Sequence, residues 1–152
     1  MAKICTIHPR SGVDLSAVAE AAETAVTLGQ HNGYRPWSEL AKSLAEYRQE
    51  HFVGAAEWAQ KSLAAAGPLR SRDAAAYLVL AMAQMKLKQE PAARVALGQG
   101  AEMVEKKLPK LDSGDLGFQW ADVIIANLLL REARALIDGN SQNAASEVKA
   151  EP

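Results

Sequence analysis

Tyr47 and Arg48 form the adjacent pair in this sequence that is best suited to binding chemistry. A guanidinium can hold a carboxylate through two parallel hydrogen bonds, and a tyrosine ring can pack against an apolar side chain. Trp37 and Leu44 share a helical spacing with Tyr47, which places the three on one face of a helix. We therefore predict a partner-binding patch of Trp37, Leu44, Tyr47 and Arg48. The other interpretation, a core tyrosine beside a solvated arginine, stays open.

Residues that commonly catalyse reactions or bind metals are scattered along the chain. The histidines are His8, His31 and His51, and none has a second ligand at metal spacing on one helix face. The single cysteine, Cys5, has no partner for an intramolecular disulfide. The sequence therefore predicts no catalytic residues, no metal site and no cofactor.

Composition favours closely packed helices and argues against nucleic acid as a partner. The 152 residues are 49% hydrophobic but only 5% aromatic, and alanine, the best helix former, is abundant. The formal net charge is −1, and no run of five basic residues occurs. The longest apolar stretch, residues 123–130, is too short for a bilayer, and the N-terminus lacks the apolar core of a signal peptide. We expect a soluble, cytoplasmic protein without membrane insertion.

Helical periodicity and the positions of glycine and proline divide the chain into six predicted helices. Residues 1–13 are predicted to be a loose lead-in, and residues 139–152, after a helix end at Gly139, a disordered tail. The helices are expected at about 14–28, 36–49, from 52 to a stop at Gly67, and at about 72–87, 91–107 and 118–138. Because most links are short, neighbouring helices should be antiparallel.

The last predicted helix is apolar on nearly every side between Val123 and Leu130, so it must be buried. We expect it to cap the domain with Trp120 as an anchor, or to dock a second copy of the chain through residues 118–138. Its charged residues are expected to face solvent: Arg131, Glu132 and Arg134.

An internal repeat relates the second and third predicted helices to the fourth and fifth at a constant offset. Residues 47–55 align with residues 85–93, and Ala59 aligns with Leu97. The sequence therefore predicts two stacked helix pairs.

The second of these pairs resembles a tetratricopeptide repeat. Five residues match the motif. In chain order they occupy its aromatic position, its leucine position, two positions for small residues and one position for a large apolar residue: Tyr77, Leu80, Ala81, Ala93 and Leu97. The offset exceeds the family's period of roughly 34 residues, and the excess fits in the link between the pairs, where insertions cost little. The resemblance covers residues 14–138 and implies an all-α fold, an α-solenoid of antiparallel helix pairs.

The first pair matches the same motif less well. The shared register places polar residues at the motif's core positions: Glu39, Lys42, Ser43 and Glu46. It would also place apolar residues on the concave face: Trp37, Leu40, Leu44 and Tyr47. Either the register slips in this pair or the concave face is unusually apolar, and the sequence leaves both open.

Other stretches, among them residues 45–49 and 56–61, resemble repeat regions appended to large bacterial serine/threonine protein kinases. The tripeptide Asp115-Leu116-Gly117 is similar to the metal-binding tripeptide of kinases. We interpret it as a loop that leads into a helix, because no glycine-rich loop or catalytic-loop motif accompanies it.

The repeat architecture predicts a non-catalytic protein-interaction module, a scaffold that binds a peptide or partner protein on its concave face. The alternative is a structural or oligomerising C-terminal segment of a larger signalling enzyme, such as a bacterial serine/threonine kinase. That alternative involves self-association through residues 118–138. An enzyme in its own right is the least favoured hypothesis.

Overall fold

Six helices make up the part of the chain that the structure, a computed structural model, describes: residues 12, 14–29, 33–65 and 69–148, with side chains described up to residue 139. In chain order the helices are α1 (Leu15–Leu28), α2 (Arg35–Arg48), α3 (Phe52–Ala64), α4 (Arg70–Lys86), α5 (Glu90–Lys107) and α6 (Trp120–Val148). No strand occurs within these ranges, so the predicted all-α class is confirmed for them. None of the described helices is long and apolar enough to cross a membrane.

The predicted helix ends agree closely with the structure, except at the C-terminus. There α6 continues through Gly139 to Val148, so the predicted end at Gly139 is wrong. A glycine inside a helix costs only about 1 kcal/mol relative to alanine, and no proline follows before residue 152. The predicted lead-in lies almost wholly outside the described residues, as do residues 149–152.

The turns inside the two hairpins, α2/α3 and α4/α5, are geometrically equivalent and occupy matching positions of the sequence repeat. In each turn a residue with positive φ follows the first helix, Glu50 at 64° and Lys88 at 61°. The next amide donates to the carbonyl five residues back, from His51 to Glu46 at 3.0 Å and from Gln89 to Gln84 at 2.9 Å. This bond, with the matching bonds of Glu50 and Lys88, is the Schellman pattern of a helix C-terminus. The repeat is therefore present in the backbone as well as in the sequence.

Small residues allow the two helices of each hairpin to approach closely. In α4/α5 a Cβ added at Gly100 would lie 2.9 Å from Leu78 Cδ2, which is too close without repacking. At the equivalent position of α2/α3, Ser62 donates a hydrogen bond from Oγ to the carbonyl of Pro36 at 2.8 Å. The two hairpins thus share one crossing point and fill it differently.

The first hairpin matches the second at its turn and at its crossing point. The polar residues that the predicted motif would make its core are buried or nearly so, and they are paired. Ser43 Oγ donates to the carbonyl of Ala55 at 2.7 Å. Lys42 Nζ lies 2.7 Å from Glu46 Oε1 and 3.0 Å from Glu23 Oε2 of α1. On the opposite face of α2, the buried residues are apolar, Leu40 and Leu44.

The first and last helices pack on this pair of hairpins in different ways. The N-cap residue Asp14 begins α1 by accepting a hydrogen bond from the Ser16 amide, and α1 packs chiefly on α2 through Val18 and Ala22. After the link formed by residues 108–119, α6 packs on α4 more extensively than on α5. Its buried residues form a long stripe: Val123, Ile125, Ala126, Leu129, Leu130, Ala133 and Ile137. Trp120 is 59% exposed, so the prediction that it anchors the cap is wrong.

Candidate functional site

The four residues predicted to bind a partner lie on one side of α2, the side that α6 covers. Leu44 and Tyr47 are buried, Trp37 is half-buried, and the Arg48 side chain is only 5% exposed. Trp37 and Leu44, together with Ile125 and Leu129 of α6, line a residual cavity of only about 10 Å³. That volume is at or below the space one water molecule needs. In this conformation the patch is therefore filled by the chain's own last helix.

Arg48 and Glu132 form the polar centre of this contact between α2 and α6. Arg48 Nη2 donates to Glu132 Oε2 at 2.7 Å, and Arg48 Nη1 donates to Glu132 Oε1. Two parallel bonds between a guanidinium and a carboxylate give both strength and a fixed orientation. The sequence predicted this use of Arg48, a clamp on a carboxylate. It did not predict that the carboxylate belongs to the same chain.

Tyr47 packs between the ion pair and the start of α3. The Arg48 guanidinium carbon lies 5.4 Å from the centre of the Tyr47 ring, and the Phe52 ring centre lies 5.7 Å away. Burial and the Glu132 charge raise the pKa of Tyr47 to about 12, partly offset by the Arg48 charge. The phenol is therefore neutral at physiological pH. This geometry suits packing and recognition, and it gives Tyr47 no activation as a base or nucleophile.

A small open cavity of about 250 Å³ adjoins the ion pair. Its lining is rich in charge: Tyr47, Arg48, Glu50, Phe52, Lys86 and Glu132. Any group that replaced Glu132 would meet Arg48 here at the edge of solvent. The cavity gives the buried pair its route to water and to an approaching partner.

Glu132 is the residue of this contact that sequence reasoning missed, because it was interpreted together with Arg131 and Arg134 as a solvated face. That interpretation holds for Arg134, whose Nη2 lies 2.6 Å from Glu105 Oε1 in an exposed pair between α5 and α6. The spacing of Ile125, Leu129 and Glu132 was the available signal. Residues at i, i+4 and i+7 share a helix face, and the first two are apolar.

The remaining candidate residues form no catalytic or metal constellation in the part that the structure describes. His51 Nδ1 lies 3.0 Å from Glu46 Oε2 on an exposed turn. No group of three or more potential metal-binding side chains occurs among the described residues. Asp115 lies in the α5–α6 link, where its Oδ1 accepts a hydrogen bond from the Gly117 amide at 2.7 Å. Cys5, His8 and His31 lie outside the described residues.

Comparison with known proteins yields no relative to set beside this geometry. No protein-family model, curated protein sequence or solved structure matches the chain. The resemblances to tetratricopeptide repeats and to kinase-appended repeats therefore stay predictions, and function has to be argued from the contacts of α2, α4 and α6.

Proposed function

We propose that this chain is a non-catalytic protein-interaction module of the helical-repeat kind, a short α-solenoid that binds a helix of a partner protein across α2 and α4. The observation that supports this most strongly is that α6 already packs on α4 and is joined to α2 by the bidentate Arg48–Glu132 contact. The repeated hairpins supply the framework, since stacked helix pairs build extended surfaces for partners.

The partner at Trp37, Leu44, Tyr47 and Arg48 is an amphipathic helix that takes the place of α6. It must bring an apolar stripe for Leu44 and a carboxylate for Arg48. A helix without that carboxylate would not replace the charge-assisted contact with Glu132, and losing one partner of a buried ion pair is strongly unfavourable.

Energetics set a demanding condition on this exchange. The α6 helix buries five large aliphatic side chains: Val123, Ile125, Leu129, Leu130 and Ile137. At roughly 1.5–3 kcal/mol each, their burial is worth about 10 kcal/mol, comparable with the whole stability of a typical domain. Exchange therefore requires a partner helix of similar apolar area. That helix has to compete with α6, which is tethered to the same surface by the chain.

A labelled peptide of residues 119–138, added to the full-length protein, tests whether the α6 position can be exchanged. Glu132→Gln in the protein weakens its own α6 while the peptide still offers Glu132. We expect peptide affinity, measured by fluorescence anisotropy, to rise about tenfold, which corresponds to roughly 1.4 kcal/mol. Adding Arg48→Met to the Glu132→Gln variant should lower the affinity again, because Glu132 of the peptide then has no guanidinium to bind, whereas the protein's own α6 has already lost that contact.

Glu105→Gln is the matched control for that experiment. It removes an exposed carboxylate that also contacts α6, through Arg134, and should change peptide affinity little. If the peptide binds none of the variants saturably, α6 is a permanent part of the core, and the proposed binding site is wrong. Where exchange is seen, capture of proteins by the Glu132→Gln variant from native lysate identifies the partner.

The second candidate function is a structural or oligomerising segment of a larger signalling enzyme such as a bacterial kinase. It is favoured by the outer side of α6, where Trp120, Ile124 and Leu128 follow at four-residue spacing. Trp120 is 59% and Leu128 40% exposed, so this stripe is partly open to solvent. Sedimentation should show a dimer that Leu128→Glu dissociates, and a monomer at all concentrations would remove this candidate.

A further inference from the structure

The link between α5 and α6, residues 108–119, carries large apolar side chains at the surface. Leu111 is exposed, Leu116 is half-buried, and Phe118 is fully exposed. Surface loops are usually polar, and a cluster of exposed apolar side chains often marks an interaction site. Aromatic residues are enriched in the energetically dominant parts of such sites.

Hydrogen bonds within the link order the backbone between Lys110 and Gly117. Ser113 Oγ donates to the carbonyl of Lys110 at 2.7 Å, and the Gly117 amide donates to Asp115 Oδ1 at 2.7 Å. Gly114 and Gly117 adopt positive φ angles of 80° and 71°, which a residue with a side chain rarely adopts. A loop organised before binding loses less conformational entropy when it meets a partner.

A cleft of about 590 Å³ opens where this link passes the start of α4 and the end of α5. The volume lies within the roughly 300–1,000 Å³ range of ligand pockets. Its apolar lining comes from three parts of the fold, the residue before α4, the link and α6: Leu69, Leu108, Pro109, Leu116, Phe118 and Val123. Two cations, Arg70 and Lys107, stand beside this lining.

The charge around the cleft points to an acidic partner. Arg70 and Lys107 are exposed and form no ion pair among the described residues, whereas the neighbouring Lys106 faces Glu102 at 3.8 Å. Exposed carboxylates of a partner would find the positive charges of Arg70 and Lys107 beside the apolar lining.

We propose that this cleft docks an acidic segment of a partner protein, which inserts an apolar side chain against Leu108, Leu116 and Phe118 and brings carboxylates to Arg70 and Lys107. The inference goes beyond the proposed function, because the cleft shares no residue with the Arg48–Glu132 contact.

Two blocked, fluorescein-labelled hexapeptides test this proposal, one alternating glutamate with leucine and the other alternating lysine with leucine. We expect only the glutamate peptide to bind the full-length protein saturably, and more weakly as salt is raised. The double variant Arg70→Glu, Lys107→Glu should reverse the preference towards the lysine peptide. Phe118→Ser should weaken binding of the glutamate peptide at least tenfold with an unchanged melting temperature, since Phe118 is fully exposed.

Lys106→Glu is the matched control, because it makes the same charge change on α5 at a residue that does not line the cleft. It should leave the preference for the glutamate peptide intact. Equal binding of both peptides to the wild type, or a preference that survives the double charge reversal, overturns the proposal. So does a dimer that Phe118→Ser dissociates, because a second copy would then be the occupant. Arg48→Met should not affect these peptides, so this test and the α6-exchange test fail independently.

Discussion

The two hairpins have equivalent turns and crossing points, but different side chains fill the equivalent positions. Where α2/α3 has Ser62 bonded to the carbonyl of Pro36, α4/α5 has Gly100, whose added Cβ would lie 3.3 Å from the carbonyl of Ala74. Pro36 and Ala74 are themselves equivalent positions of the sequence repeat. The helices thus cross in the same way in both hairpins. At the crossing point α2/α3 has a side-chain hydrogen bond, and α4/α5 has a residue without a side chain.

Neighbouring helices explain why the first hairpin has a charged residue where the second has an apolar one. In the repeat, Lys42 is equivalent to Leu80. Lys42 reaches Glu23 of α1, so its charge is used to join the outermost helix to the hairpin. The second hairpin lies between α3 and α6 and buries Leu80 in the main core. A motif core position therefore tolerates charge where a partner satisfies it, and favours apolar residues elsewhere.

Gly100→Ala should show the largest difference in stability between the two crossing points. The new Cβ collides with Leu78 in a fully packed core, and we expect a loss of about 2 kcal/mol in the free energy of unfolding. Ser62→Ala in the other hairpin should cost about 1 kcal/mol, because it only removes a hydrogen bond to a carbonyl. Urea denaturation of the two variants and the wild type measures both changes.

Gly98→Ala is the control for helix propensity in α5. A Cβ at Gly98 has no neighbour within 4 Å, so this change should stabilise the protein by up to about 1 kcal/mol. If Gly100→Ala stabilised the protein as much as Gly98→Ala, α4 and α5 could not approach each other as closely as described at Gly100.

The ionic layer of the first hairpin should give its stability a pH dependence at Glu46. Burial raises the pKa of the Glu46 carboxyl, but the hydrogen bond and charge of Lys42, then those of His51, hold it below its usual 4.5. A carboxyl with a lowered pKa in the folded state stabilises the protein above the unfolded pKa. That contribution is lost as pH falls through the folded pKa.

Glu46→Gln converts this position to the residue found in the second hairpin, Gln84. At pH 7 we expect a loss of about 1 kcal/mol in unfolding free energy, since one charge-assisted contact to Lys42 is removed. The difference from wild type should shrink below pH 4.5 as the carboxyl of the wild type becomes protonated. A difference that is constant between pH 7 and pH 3 would show that the charge of Glu46 contributes nothing.

Sequence patterns predicted what is local to the helices, and they missed what depends on long-range contacts. Helix periodicity and the internal repeat located all six described helices, because spacing and turn residues are local signals. The partner of Arg48 is 84 residues away, on a helix delivered by a long link, and no local signal encodes that arrangement. Tyr47 was weighed as either a core residue or part of an open face, and only the position of α6 places it in the core.

The smallest effect, at the hairpin turns, should be equal in both hairpins. Glu50 and Lys88 occupy the left-handed region at φ 64° and 61°, where a side chain is strained and glycine is not. We expect Glu50→Gly and Lys88→Gly each to stabilise the protein by about 0.5–1 kcal/mol and to be nearly additive, since the turns belong to different hairpins. Gln49→Gly, one residue earlier at φ −89°, should instead be destabilising. Unequal gains at the two turns would mean that the backbone repeat, and with it the alignment of the hairpins, is less exact than their hydrogen bonds indicate.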